Sequence, residues 1–168
     1  MCALILAVDV GYSPGGAKAA GILFGDWADE HPERVLTAHL GLPEEYLPGE
    51  FYRRELPALL KIIEPALPET SVIVIDGYVW LGSEQRPGLG LHLWEVLEER
   101  VAVIGVAKSR FHGTPEEAEV LRGTSRSPLF VTSVGLPLEE AKGCVLGMAG
   151  EHRIPTLLRY VDRLSRSG

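Results

Sequence analysis

The sequence predicts an α/β domain, a mixed β-sheet with helices on both faces, and three observations carry that prediction. Short apolar runs recur at 3–10, 18–24, 34–40, 71–76, 101–107 and 129–134. Each is too short for a typical helix and is read as a strand. SVIVID (71–76) and VAVIGVA (101–107) are β-branched and apolar almost throughout, the pattern of strands covered on both faces. Segments with helical spacing fall between the later runs, so the order is three strands, a helix, then strands and helices in alternation.

The first helix is expected over 53–64, where Leu56, Leu59, Leu60, Ile62 and Ile63 form an apolar stripe and Pro57 falls in the first turn. A second is expected over 89–100. A third is expected over 114–121, with Thr114 as N-cap and Pro115 at the first helical position. Two more, 137–148 and 155–165, complete the order.

The 168 residues fit one domain, 1–168, with enough chain to bury a core. With 46% hydrophobic and 23% charged residues the composition excludes a disordered or fibrous protein. The longest apolar run, Ala3 to Val8, is far short of the roughly 18–20 residues that span a bilayer, and no Lys or Arg precedes it as in a signal peptide. Two cysteines, Cys2 and Cys144, are too few for a disulfide scaffold. A soluble, cytoplasmic monomer is expected. The net charge of −7 argues against coating nucleic acid by bulk electrostatics. The charge is uneven, however: residues 1–100 hold 16 acids against 7 bases, and residues 101–168 hold 7 against 9. The late cations either solvate the surface or form a phosphate-binding edge.

Asp9 and Asp76 each close a strongly apolar run. A carboxylate there loses solvent, and leaving it unpaired costs several kcal/mol, on the order of the usual desolvation penalty. A Lys, an Arg or a metal ion has to compensate. If the two strands are neighbours, the acids converge on one sheet edge and make a hard-oxygen site for Mg²⁺ or Mn²⁺. Glu55, where the first helix begins, offers a third oxygen ligand. The plainer alternative makes each Asp a cap or turn residue, as in the pair Asp76-Gly77. The five histidines are isolated along the chain and point to no ligand set.

With these residues in view the chain resembles the endonuclease V family, inosine-directed nucleases with a ribonuclease H-like fold. AVDVGY (7–12) is similar to the family's first strand with its metal-binding Asp, and VIVIDG (72–77) to the strand bearing the second. YLPGEFYRRELPALL (46–60) resembles the wedge and the helix that follows it. IGVAKSRFHG (104–113) resembles the segment with the active-site lysine, here Lys108, and SPLFVTSVG (127–135) and RIPTLLRYVD (153–162) resemble the closing segments. The family's Gly-Gln-Gly and His-Pro-Arg are replaced by GYVWLGSEQRPGLGLH, and a family Ser-x-Gly-His reads Ser133-Val134-Gly135-Leu136.

The resemblance implies a Mg²⁺-dependent endonuclease, with Mn²⁺ as a substitute, that cuts DNA or RNA near inosine. It gives Asp9, Asp76 and Glu55 the metal, and Lys108 the charge on the scissile phosphate. Alternatively, Lys108 is an ion-pair partner of the acids in a metal-free core. Tyr46, Leu47 and Pro48, followed by Gly49, would wedge strands apart and help extrude the target nucleotide; the plain alternative is a turn before a helix. Gly77, Arg86, Ser109 and Arg110 are the remaining expected nucleic-acid contacts. Because Leu136 cannot hold a metal or a water, the alternative function is a nucleic-acid-binding protein of the same fold that has lost turnover. An actin-like or sugar-kinase phosphate loop at Asp9-Val10-Gly11 is a third reading, but the length leaves no room for the second domain such proteins need.

Overall fold

A computed structural model describes residues 3–41 and 51–167, with the backbone alone for 51–54. The wedge residues Tyr46, Leu47, Pro48 and Gly49 lie outside the described residues. The strands are β1 (Leu4–Ser13), β2 (Gly16–Phe24), β3 (Arg34–Leu40), β4 (Thr70–Asp76), β5 (Trp80–Leu81), β6 (Arg86–Pro87), β7 (Ala102–Ala107), β8 (Glu119–Val120) and β9 (Leu129–Val134). The helices are α1 (Phe51–Ala66), α2 (Leu89–Val96), α3 (Leu138–Leu146) and α4 (Thr156–Arg166). Seven strands form one mixed sheet in the order β3-β2-β1-β4-β7-β9-β8, and β5 and β6 form a small hairpin.

β1, β4 and β7 run parallel at the centre, and β2, β3 and β9 are antiparallel to their neighbours. Because successive strand residues face opposite sides, the sheet sorts its side chains into two cores. Leu6, Val8 and Val10 of β1 and Ile73 and Ile75 of β4 pack with Leu59, Ile63 and Leu93 of α1 and α2. Ile5, Ala7 and Val74 pack with Ala141, Val145, Leu157 and Val161 of α3 and α4. The expected mixed sheet with helices on both faces is what the chain forms. Among the described residues no helix is long and apolar enough to cross a membrane.

Three local expectations are corrected. Residues 114–121 are not a helix: Pro115 is extended (φ −64°, ψ 150°), a single 3₁₀ turn covers Glu116–Ala118, and Glu119–Val120 join the sheet edge as β8. Pairing of Val120 with Leu129 buries Val120, and this tertiary gain overrides a short helical preference. Thr114 caps nothing, and its hydroxyl donates to the Phe111 carbonyl at 2.6 Å. The second helix stops at Val96 instead of Arg100, because Glu98 and Glu99 turn left-handed (φ 58° and 61°) to return the chain to β7. The Glu99 N–H closes that end on the Trp94 carbonyl at 2.9 Å. Finally, α1 already runs from Phe51, so Pro57 sits beyond its first turn.

A candidate metal centre at the ends of the parallel strands

β1 and β4 are parallel neighbours with Val8 opposite Ile75. Asp9 and Asp76 each follow one residue later, so the two acids stand side by side, as the sequence requires if the strands are adjacent. Strand alternation fixes where they point. Asp9 shares the parity of Ile5 and Ala7, and Asp76 that of Val74, so both face the side covered by α4.

There they meet Asp162 of α4. One carboxylate oxygen from each of Asp9, Asp76 and Asp162 lies within 4.8 Å of the others. The sequence reading did not single out Asp162. It closes the segment RIPTLLRYVD (153–162) that resembles the family, but helical periodicity alone gives an Asp among arginines no role, and the fold supplies it by showing which helix covers which face. The usable signal is its place directly after buried Val161, at the border of the apolar stripe.

α4 reaches the acids because residue 11 is glycine. A β-carbon on Gly11 would lie 2.1 Å from the Ser165 carbonyl oxygen, so any side chain there displaces the helix. Buried Ser165 ties the two elements together. Its hydroxyl donates to the Asp162 carbonyl at 2.8 Å and stands 3.3 Å from Asp9 Oδ2. The other Asp9 oxygen, Oδ1, accepts from the Val10 N–H at 2.9 Å.

Lys108 follows β7, next to β4, and brings the neutralising charge. Its Nζ is 3.5 Å from Asp76 Oδ2 and 3.9 Å from Asp162 Oδ1. Its backbone is pinned on both sides: Arg153 donates to the Lys108 carbonyl and, at 2.8 Å, to that of Pro128, and the Tyr78 hydroxyl donates to the Ser109 carbonyl at 2.7 Å. Arg166 adds a second cation at 3.2 Å from Asp162 Oδ1.

Two cations do not neutralise the whole group. Burial, then the charge of Asp76, then a hydrogen bond with Asp162 push the Asp9 carboxyl up to about 7. Asp76 is raised in the same direction, chiefly by burial, with Lys108 opposing. Three clustered hard-oxygen donors, one of them holding its proton near neutrality, are a donor set suited to a divalent cation. Beside Asp9, Asp76 and Lys108 a cleft has about 20 Å³ of free volume, room for one water-sized group, and Leu158 and Val161 close its apolar wall.

The other expected site residues are placed as follows. Glu55 is buried, 8% exposed, near the start of α1. It is not among the carboxylates that meet within 4.8 Å, and α1 covers the sheet face opposite α4. Gly77 takes φ +137°, a conformation that favours glycine, and its N–H donates to the Val106 carbonyl at 3.2 Å. Arg86 is exposed on β6. The Ser109 carbonyl holds Tyr78, as above. Arg110 pairs with Glu119 at 3.4 Å and lies over the Phe130 ring.

Leu136 requires a correction. Asp76 is in line with Val106 of β7 and Val131 of β9. Val134, three residues on, is already about 10 Å farther along the strand. Gly135 then packs on Ala102, the first residue of β7, and Leu136 lines a different pocket of about 210 Å³ with Trp80 and Ser133. No side chain at position 136 joins this carboxylate group, so its identity does not decide what the acids can do.

Comparison with known proteins agrees with this geometry. The chain is 31% identical over 165 residues to the endonuclease V of Nostoc punctiforme, covering 95% of this chain and 73% of that protein. Its fold is similar to that of Ciona intestinalis endonuclease V solved with a 23-mer DNA containing an inosine, at a TM-score of 0.75 and 21% identity over 96% of this chain and 83% of that one. A more distant likeness, TM-score 0.54 and 11% identity over 96% of this chain and 29% of that one, is to Marinitoga piezophila Argonaute, in keeping with a ribonuclease H-like sheet. The family model for endonuclease V matches residues 2–146, most of the sequence, and the chain belongs to the endonuclease V family.

Proposed function

We propose that this protein is a Mg²⁺-dependent endonuclease, with Mn²⁺ as a substitute, that hydrolyses a phosphodiester bond of DNA or RNA beside a deaminated base, inosine first among them. The observation that carries the reading is the meeting of Asp9, Asp76 and Asp162 within 4.8 Å at the ends of adjacent parallel strands. Those three would hold the cation, and Glu55 would close the site from the α1 side. The bound cation supplies Lewis-acid charge and lowers the pKa of a coordinated water.

The chain's own groups do the rest. The Lys108 ammonium, held by Arg153 and Tyr78 through the neighbouring carbonyls, neutralises charge that grows on the scissile phosphate. Ser165 and the Val10 N–H hold Asp9 in one orientation. Leu158 and Val161 keep one side of the cleft dry, which strengthens each charge interaction inside it. Tyr46, Leu47 and Pro48 would part the strand, and Gly77 would leave room for a base. The reading of a binder without turnover rested on Leu136, which lies away from the acids, and nothing in the site now favours it.

The test is cleavage of labelled single-stranded DNA and RNA carrying one inosine, with Mg²⁺, Mn²⁺ or EDTA and unmodified controls. Metal-dependent cutting one phosphate past inosine, lost in Asp76→Asn, is expected. Binding without cutting in either metal overturns the catalytic assignment.

A further inference from the structure

α4 has two working edges. At about 100° per residue, Leu157, Val161 and Ser165 form its buried arc, and Asp162 sits at one border of that arc. Moving away from the core past Asp162, the next side chains are Arg166, Arg159 and Arg163, at about 40°, 60° and 100° around the helix. All three are exposed, and the Arg166 side chain is 73% so. Lys18 of β2 extends the row past the helix end, with its Nζ donating to the Ser167 carbonyl at 2.9 Å. A cationic strip therefore begins at the inner carboxylate and runs outward, on a chain whose net charge is −7.

Helix electrostatics accounts for only part of it. Arg163 and Arg166 are in the last turn, where cations offset the helix dipole. Arg159 is above that turn and gains nothing from it. Among the described residues neither Arg159 nor Arg163 has an ion-pair partner, whereas Arg166 is held to Asp162. Arg159 to Arg166 spans about 10 Å along the axis, seven residues at about 1.5 Å each.

We propose that this face of α4 is the track on which the sugar-phosphate backbone of the substrate strand runs as it leaves the acidic site, with Arg159 and Arg163 each contacting a phosphate. The inference rests on the nuclease reading above and adds the surface that supplies affinity. Because the contacts are to phosphates, the strip would be indifferent to sequence and would serve DNA and RNA alike.

The test is fluorescence-anisotropy binding of an inosine-containing single strand, as DNA and as RNA, in EDTA over a range of salt concentrations. Arg159→Gln/Arg163→Gln is compared with a charge-matched control on the other side of the molecule, Lys61→Gln/Arg100→Gln. Losing two phosphate contacts to a single strand lowers the magnitude of the slope of log K against log[salt] by about 1.4, or roughly 25-fold in affinity at 0.1 M relative to 1 M salt. The control keeps the parental slope, and Arg159→Lys/Arg163→Lys restores most of it. Equal slopes for the α4 variant and the parent, with the parent binding, overturn the track and leave the nuclease reading standing. A parent that binds neither strand overturns both.

Discussion

Raising the pH of the metal-free protein from about 4 to about 7 is expected to weaken its fold, and Asp9 is the cause. In the unfolded chain this carboxyl titrates near 3.8, and in the folded protein near 7. Between those values the folded state holds a proton that the unfolded state has released, so unfolding free energy falls as pH rises through the window and levels off above it. At 1.36 kcal/mol per pH unit the full difference is about 4 kcal/mol. Partial solvent access to the cleft and sharing of the proton with Asp162 reduce this to about 2–4 kcal/mol. Asp76 is shifted in the same direction and adds to the slope. Urea unfolding in EDTA at half-unit steps from pH 4.5 to 8 measures it. Asp9→Asn flattens the curve and is the more stable protein at pH 8. Saturating Mg²⁺ removes the deficit, because it binds the ionised form and stabilises in proportion to its occupancy. Stability that is constant or rising from pH 5 to 7 in the parent, or an Asp9→Asn curve parallel to it, refutes the reasoning.

Four further outcomes are expected. Leu136→His leaves inosine-directed cleavage within about twofold of the parent, because position 136 lies beyond the end of β9 that points away from the acids; a large gain or loss refutes this. Lys108→Gln lowers the single-turnover cleavage rate by about 10²–10³ while calorimetric metal affinity is not weakened, since the missing charge acts on the phosphate. Gly11→Ala forces α4 outward and costs about 1–3 kcal/mol, with activity falling alongside the melting temperature. Arg122→Met costs about 2–4 kcal/mol in urea unfolding, because the buried guanidinium donates to the carbonyls of Met148, Gly150 and His152, and the variant leaves them without donors.

What was legible in the sequence followed from local physics. β4 and β7 were readable because a strand covered on both faces has to be apolar along its length, and Asp76 and Lys108 stood out as charges where that pattern stops. Asp9 was readable for the same reason. Asp162 was not, because its role depends on strand parity and on which helix closes which face, neither of which a helical segment reports about itself. Leu136 was misjudged for a related reason: motif order along the chain does not say that β9 runs antiparallel and carries its end away from the acids. The failed helix at 114–121 was decided by an open sheet edge, a property of β9 and not of those eight residues.

The contact between Gly11 and Ser165 also bears on how the site comes into being. Ser165 and Asp9 are separated by 156 positions in the chain, so their meeting is among the costliest loop closures in the molecule and depends on β1 already being in the sheet. α4 leans on the sheet through one apolar stripe, and a reversible detachment of that single helix would carry Asp162 away from Asp9 and Asp76 and uncover part of one hydrophobic layer, while the layer covered by α1 and α2 stays in place. Catalytic competence and global foldedness are then separate equilibria. Amide exchange in α4, faster than in β1 and β4, would measure the fraction of folded molecules that momentarily lack a functional centre.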